Sequence, residues 1–113
     1  MQKITAQICI NTNNLIYETA TGYKAKAWGE DMLLTKHLGY WQAYDIDSRM
    51  CFVMREPTKK ATLAKLRQTE QDISTEVYQQ AARYWKHRQG RLEESEQSIS
   101  FQLSKLRYQS LAH

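Results

Sequence analysis

Apolar side chains alternate with polar or small ones through the first half of the chain and recur at helical spacing through the second. In KITAQICI, Ile4, Ala6, Ile8 and Ile10 occupy every second position, the period of a half-buried strand. NTNN supplies turn-forming Asn residues, and LIYET resumes the alternation with Leu15, Tyr17 and Thr19. After Gly22, YKAKAW sets Tyr23, Ala25 and Ala27 against Lys24, Lys26 and Trp28. These segments predict a short antiparallel meander.

EDMLLTKHLG departs from that period. Met32, Leu33 and Leu34 are contiguous, acidic residues lead, Lys36 and His37 trail, and Gly39 suits a helix end, so one short helix is expected here. YWQAYDIDSRMCFVMREP restores the strand signal as a hairpin about Asp47-Ser48, closed by Pro57. The unbroken MCFVM reads as a strand covered on both faces, as in the middle of a sheet.

Beyond Pro57 the period changes to 3.6. With Thr58 as N-cap, Leu63, Leu66, Ile73, Val77, Ala81 and Tyr84 fall within about 80° of arc at about 100° per residue. One long helix over 59–89 is predicted, with a break at DIST (72–75) as the alternative, because Asp, Ser and Thr cap helices better than they fill them. Gly90 ends it, and Leu92, Ile99, Leu103 and Leu106 then share the face of a second helix folding back. The strand-like alternation of SISFQL leaves a final strand as the other reading of 98–103. The expected fold class is therefore α+β: an N-terminal antiparallel sheet of four to five strands with one short helix, then a long C-terminal helix and a second one. All of 1–113 is taken as one domain, with a sheet half (1–57) and a helical half (58–113).

Composition supports a folded chain. Of 113 residues 42% are apolar and 25% charged, with one Pro and four Gly, which leaves little room for disordered tracts. No apolar run approaches a membrane span and the N-terminus lacks a signal-peptide pattern, so a cytoplasmic protein with no membrane partner is expected. Cys9 and Cys51 lie far apart and His37, His87 and His113 are isolated, which predicts buried free thiols and no metal site. Asp45 and Asp47 form a D-x-D pair better explained as turn residues than as metal ligands. With no nucleophile elbow and no phosphate-cradling glycine run, neither catalytic residues nor a cofactor are expected.

Charge is the remaining signal. Residues 1–54 carry five Lys/Arg against five Asp/Glu, 55–91 carry nine against four, and 92–113 two against three, so the whole excess sits in the middle. There YQQAARYWKHRQGR interleaves aromatics and cations. On a helical wheel with Ile73 at zero, Tyr84, Trp85 and Tyr78 fall between about 0° and 140°, while Lys86, Arg83 and His87 fall between about 220° and 320°. Rings and cations point apart, unlike a single-strand stacking platform. Tyr84 and Trp85 are then packing anchors, and what remains is a basic ridge. Lys59, Lys60, Lys65 and Arg67 form its first part, and Arg83, Lys86, His87 and Arg88 its second. Such a ridge suits phosphates or an acidic protein surface. Trp28, Tyr40, Trp41 and Tyr44 are the candidate partner-facing aromatic patch. The chain is thus expected to be a small non-enzymatic protein, of a microbial or phage type. It would act stoichiometrically on nucleic acid or a nucleic-acid-handling protein complex, as regulator or inhibitor. The alternative is an interaction module that homodimerises through the Leu63, Leu66, Ile73, Val77 and Tyr84 stripe.

Overall fold

The computed structural model describes residues 1–89. Five strands, β1 (Lys3–Asn11), β2 (Ile16–Ala27), β3 (Glu30–His37), β4 (Tyr40–Asp45) and β5 (Cys51–Glu56), form one antiparallel sheet in the order β1-β2-β3-β4-β5. Helix α1 (Lys59–Asp72) follows, then a second helix, α2, over 75–89. The class is α+β, as the hydrophobic pattern predicts. No described helix is long and apolar enough to cross a membrane. The helix predicted beyond residue 91, and the strand alternative at 98–103, lie outside the described residues.

The short helix expected at 30–38 is strand β3. It is the central strand with both faces covered, so Met32, Leu33 and Leu34 are all fully buried and no alternation shows in the sequence. Gly39 ends no helix: Leu38 (φ 51°) and Gly39 (φ 84°) are the two positive-φ residues of the tight β3–β4 turn, and Trp28 (φ 54°) and Gly29 (φ 75°) make the equivalent β2–β3 turn. Nor does Gly22 divide two strands, since β2 runs through it. β5 is an edge strand rather than a middle one, and Met54 in MCFVM is exposed.

The single long helix is also replaced by two. Thr58 does cap α1, its Oγ1 accepting from the Ala61 amide at 3.0 Å. At Ile73 the backbone turns extended (φ −118°, ψ 125°), and the Ile73 carbonyl accepts from the Trp28 indole Nε1 at 2.8 Å. Ser74 then starts α2, with its Oγ accepting from the Val77 amide at 3.3 Å. The break resets the wheel. Leu66 and Thr62 anchor α1, but α2 turns Tyr78, Ala82, Trp85 and Gln89 inward, a regular i, i+4, i+7, i+11 seam. Ile73, Val77 and Tyr84, predicted to share the core stripe with Leu66, are exposed. Tyr84 is therefore no packing anchor, although its ring meets Trp85 edge-on at 5.3 Å.

The helices cover one face of the sheet, burying Ala25, Ala27, Met32, Leu34, Ala43 and Val53 against Leu66 and Tyr78. On the other face Ile8, Leu33 and Tyr44 form a second core. Among the described residues no helix covers that face; the β1–β2 hairpin curls across instead, until the Cys9 amide donates to the Arg49 carbonyl at 2.8 Å. Gly22 permits the curl. A Cβ on it would stand 2.9 Å from the Leu34 carbonyl carbon, closer still to the Leu34 oxygen, and 3.1 Å from Leu33 Cδ1.

Candidate functional site

The predicted aromatic patch is dispersed by the fold. Trp28 is only 4% exposed; its ring stacks on Tyr78 at 4.2 Å and 3°, and its amide donates to Glu70 Oε2 at 2.8 Å. Tyr78 in turn meets Phe52 at 4.9 Å and donates its hydroxyl to Asp45, which also accepts from the Ser48 amide at 2.7 Å. Burial, then the Asp45 carboxylate, pushes the Tyr78 phenol up, so it stays a donor. Trp41 stacks on Tyr23 at 6.4 Å on the helix-covered side. Tyr44 is buried on the opposite face with its hydroxyl on Gln42 Oε1 at 2.7 Å. Of the four, Tyr40 alone is exposed. Neighbouring strand positions point to opposite faces, and this separates Tyr40 and Tyr44 from Trp41.

The predicted basic ridge is divided as well. Lys59 lies 4.0 Å over the Tyr23 ring, Arg67 bonds the Lys26 carbonyl and Glu70, Lys86 pairs with Asp47 at 3.0 Å, and Arg88 lies 5.0 Å over Trp85. Lys60, Lys65, Arg83 and His87 are exposed and make no ion pair among the described residues. On α1, Lys60 and Arg67 lie about 20° apart, but Lys65 stands about 140–160° from both. On α2, Arg83 and Lys86 border a crevice of about 220 Å³ with Glu30, Asp45 and Asp47. These two cations thus face carboxylates of their own chain.

A different site emerges where the curled sheet stays open. Past the Cys9–Arg49 bond, the end of β1 and strand β5 border a cleft of about 740 Å³, floored by Gln42 and Tyr44 and flanked by Trp85. Four of the nine exposed large apolar side chains among the described residues rim it: Ile10 (39% exposed), Leu38 (85%), Tyr40 (49%) and Met54 (61%). Among the described residues no Asp or Glu lines it; Arg55 does, as does His37, whose Nδ1 lies 3.7 Å from Glu18 Oε2. Leu38 (φ 51°) and Arg55 (φ 56°) both hold left-handed backbone, which costs about 1–2 kcal/mol for a side chain with a Cβ. For Leu38 no burial offsets that cost.

Cys9 and Cys51 also line the cleft, and both are free. Burial pushes the Cys51 thiol up to about 12 and raises Cys9 and Tyr44 too, so all three are neutral near pH 7. Among the described residues no group of three or more His, Cys, Asp or Glu side chains is placed to hold a metal. The cleft offers apolar contact, neutral hydrogen-bonding groups and the Arg55 guanidinium at its rim. Nothing in the sequence pattern marks Ile10, Leu38 or Met54, because each is an ordinary strand or turn residue until the curl brings them together. No family model, curated protein or solved structure matches the chain.

Proposed function

We propose that the chain is a stoichiometric, non-enzymatic binding protein, and that its partner is a protein engaged at the cleft between β1 and β5. The observation that carries this reading is the clustering of Ile10, Leu38, Tyr40 and Met54 around one opening. Single exposed apolar residues are normal, but a contiguous set rimming a concavity marks an interaction surface. A nucleic-acid-handling protein remains within this reading, as a regulated or inhibited partner. Direct tracking of phosphates along the helices has less support, since Arg83 and Lys86 share their crevice with Glu30, Asp45 and Asp47. Affinity capture with the wild-type chain and with a Leu38→Lys/Met54→Lys variant tests it, using cells of the source organism. A protein recovered near equimolar with wild type and lost with the variant is expected; identical recovery by both sinks the reading.

A second reading, homodimerisation, rests on the exposed side of α2, where Val77 (55% exposed) and Tyr84 (60%) follow Ile73 (37%). It requires a two-chain mass in sedimentation equilibrium that Val77→Glu reduces to one. A wild-type monomer at high concentration excludes it.

A further inference from the structure

Within the protein-binding reading, the strand edges say what form the partner takes. In an antiparallel meander, strands one and five run in the same direction, so the cleft separates two parallel edges. They touch at one end through the Cys9–Arg49 backbone bond and then splay. Cys9, Ile10 and Asn11 of β1 and Thr12 and Asn13 of the turn that follows it line the opening. Cys9 to Asn11 takes in both faces of the strand, at a register shift against β2, so the free edge of β1 borders the space. Edges of this kind carry backbone groups able to pair with an added strand.

We propose that the cleft takes an extended peptide segment of the partner, added as a strand antiparallel to both β1 and β5. The segment carries an apolar anchor and a neighbouring carboxylate. Insertion there preserves the alternation of directions around the sheet. Strand β5 (Cys51–Glu56) reaches about 20 Å at about 3.3 Å per residue, and its register shifts against β4 and left-handed Arg55 interrupt the ladder, so the paired segment is at most about six residues. Alternate side chains of the segment meet the apolar rim made by Ile10, Tyr40, Met54 and Trp85, as in strand-addition recognition. The carboxylate is selected by charge. Among the described residues the lining has no acid, and Arg55 is exposed with no ion pair. A peptide with Lys or Arg in place of the acid meets that cation and is rejected.

Selection of displayed random peptides on the full chain, followed by titration of the enriched sequences, tests the inference. Enriched peptides are expected to combine aliphatic or aromatic residues with Asp or Glu. Their affinity should fall at least about tenfold with Met54→Glu, and similarly with Arg55→Glu. Methylating alternate backbone amides of the peptide should weaken binding to the same extent, and amide exchange should slow within 10–12 and 51–55, since the Cys9 and Asn13 amides are already bonded. Both substituted residues are exposed, and circular dichroism checks that the variants fold. Failure to enrich any peptide overturns the proposal. So do peptides that tolerate backbone methylation, or that bind the Met54→Glu variant as well as wild type. The capture experiment stands apart: if captured protein is sensitive to Leu38→Lys/Met54→Lys while backbone methylation is harmless, strand addition falls and the binding role survives.

Discussion

Replacing Gly22 with Ala should destabilise the protein far more than a single methyl group ordinarily does. In most strand positions Gly→Ala is favourable by about 0.4–1 kcal/mol, because it restricts the unfolded chain. Here the added Cβ lands 2.9 Å from the Leu34 carbonyl carbon and nearer the oxygen, a backbone that cannot swing aside like a side chain. Strand β2 must move off β3. Overpacking of this kind costs about 1–3 kcal/mol. The same movement lifts the β1–β2 hairpin from the second core, where Ile8 is 1% exposed over Leu33 and Tyr44, and exposing a buried Ile costs about 1.5–3 kcal/mol more. A loss of about 2.5–6 kcal/mol is therefore expected, out of the roughly 5–15 kcal/mol that stabilises a domain. Urea denaturation followed by tryptophan fluorescence measures it, and hydrogen exchange at the Cys9 amide reports whether the bond to Arg49 has opened. A midpoint within about 0.5 kcal/mol of wild type, at an ordinary urea slope of about 1–3 kcal/mol per M, refutes the reasoning. So does a large loss of stability with Cys9 protection intact.

Four further outcomes follow from the Tyr78 phenol, the Lys86–Asp47 pair and the Cys51 thiol. Tyr78→Phe keeps the stack on Trp28 but removes the donor to buried Asp45, so thermal or urea denaturation should show a loss of about 1–3 kcal/mol. Lys86→Ala, by contrast, breaks a pair whose side chains are 60% and 68% exposed, and should change stability by less than about 1 kcal/mol. Cys51 should resist iodoacetamide at pH 8 in the folded protein, since a thiol raised from 9.0 to about 12 loses about a thousandfold of its thiolate; mass spectrometry after timed labelling, with urea-unfolded chain as reference, checks this. Because the folded thiol is the one with the raised pKa, its contribution to stability is complete below pH 9.0 and declines above it, and Cys51→Ala should flatten the alkaline fall of the urea midpoint.

The sheet was legible wherever one face met water. Ile4, Ala6 and Ile8 alternate because β1 covers the second core on one side only, and the Asp47-Ser48 turn announced the β4–β5 hairpin. It was illegible at β3, where burial on both faces erases the alternation and leaves a run that fits a helix equally well. The flanking turns hid their nature because Trp-Gly and Leu-Gly stand where Asn-Gly or Asp-Gly is usual. Trp28 accepts positive φ because its amide and indole find Glu70 and Ile73, two partners more than forty residues away that no local pattern reveals. The helix break is a related case. Ser74 was a recognisable cap, yet the apolar periodicity of Val77, Ala81 and Tyr84 continued in phase with Leu66, and only the sheet-side bonds decide against continuity. As for the candidate site, its aromatics were visible and its cations counted, but the cleft depends on the curl at Gly22, a close approach between backbones.

The strand order also fixes a history for the chain. In a meander every strand pairs with the one synthesised just before it, so the sheet can be assembled in the order it leaves the ribosome, by closures of short loops. Some ties do not follow that order, among them the Cys9–Arg49 bond and the Tyr17 hydroxyl that donates to Gln89 Oε1 at 2.7 Å across 72 residues. Gln89 also donates to the Ser48 carbonyl at 2.6 Å, so the final described turn of α2 fastens the first hairpin to the last. Among the described residues the opening between β1 and β5 is therefore framed by contacts that need Gln89, and these cannot form on a nascent chain until that residue has emerged.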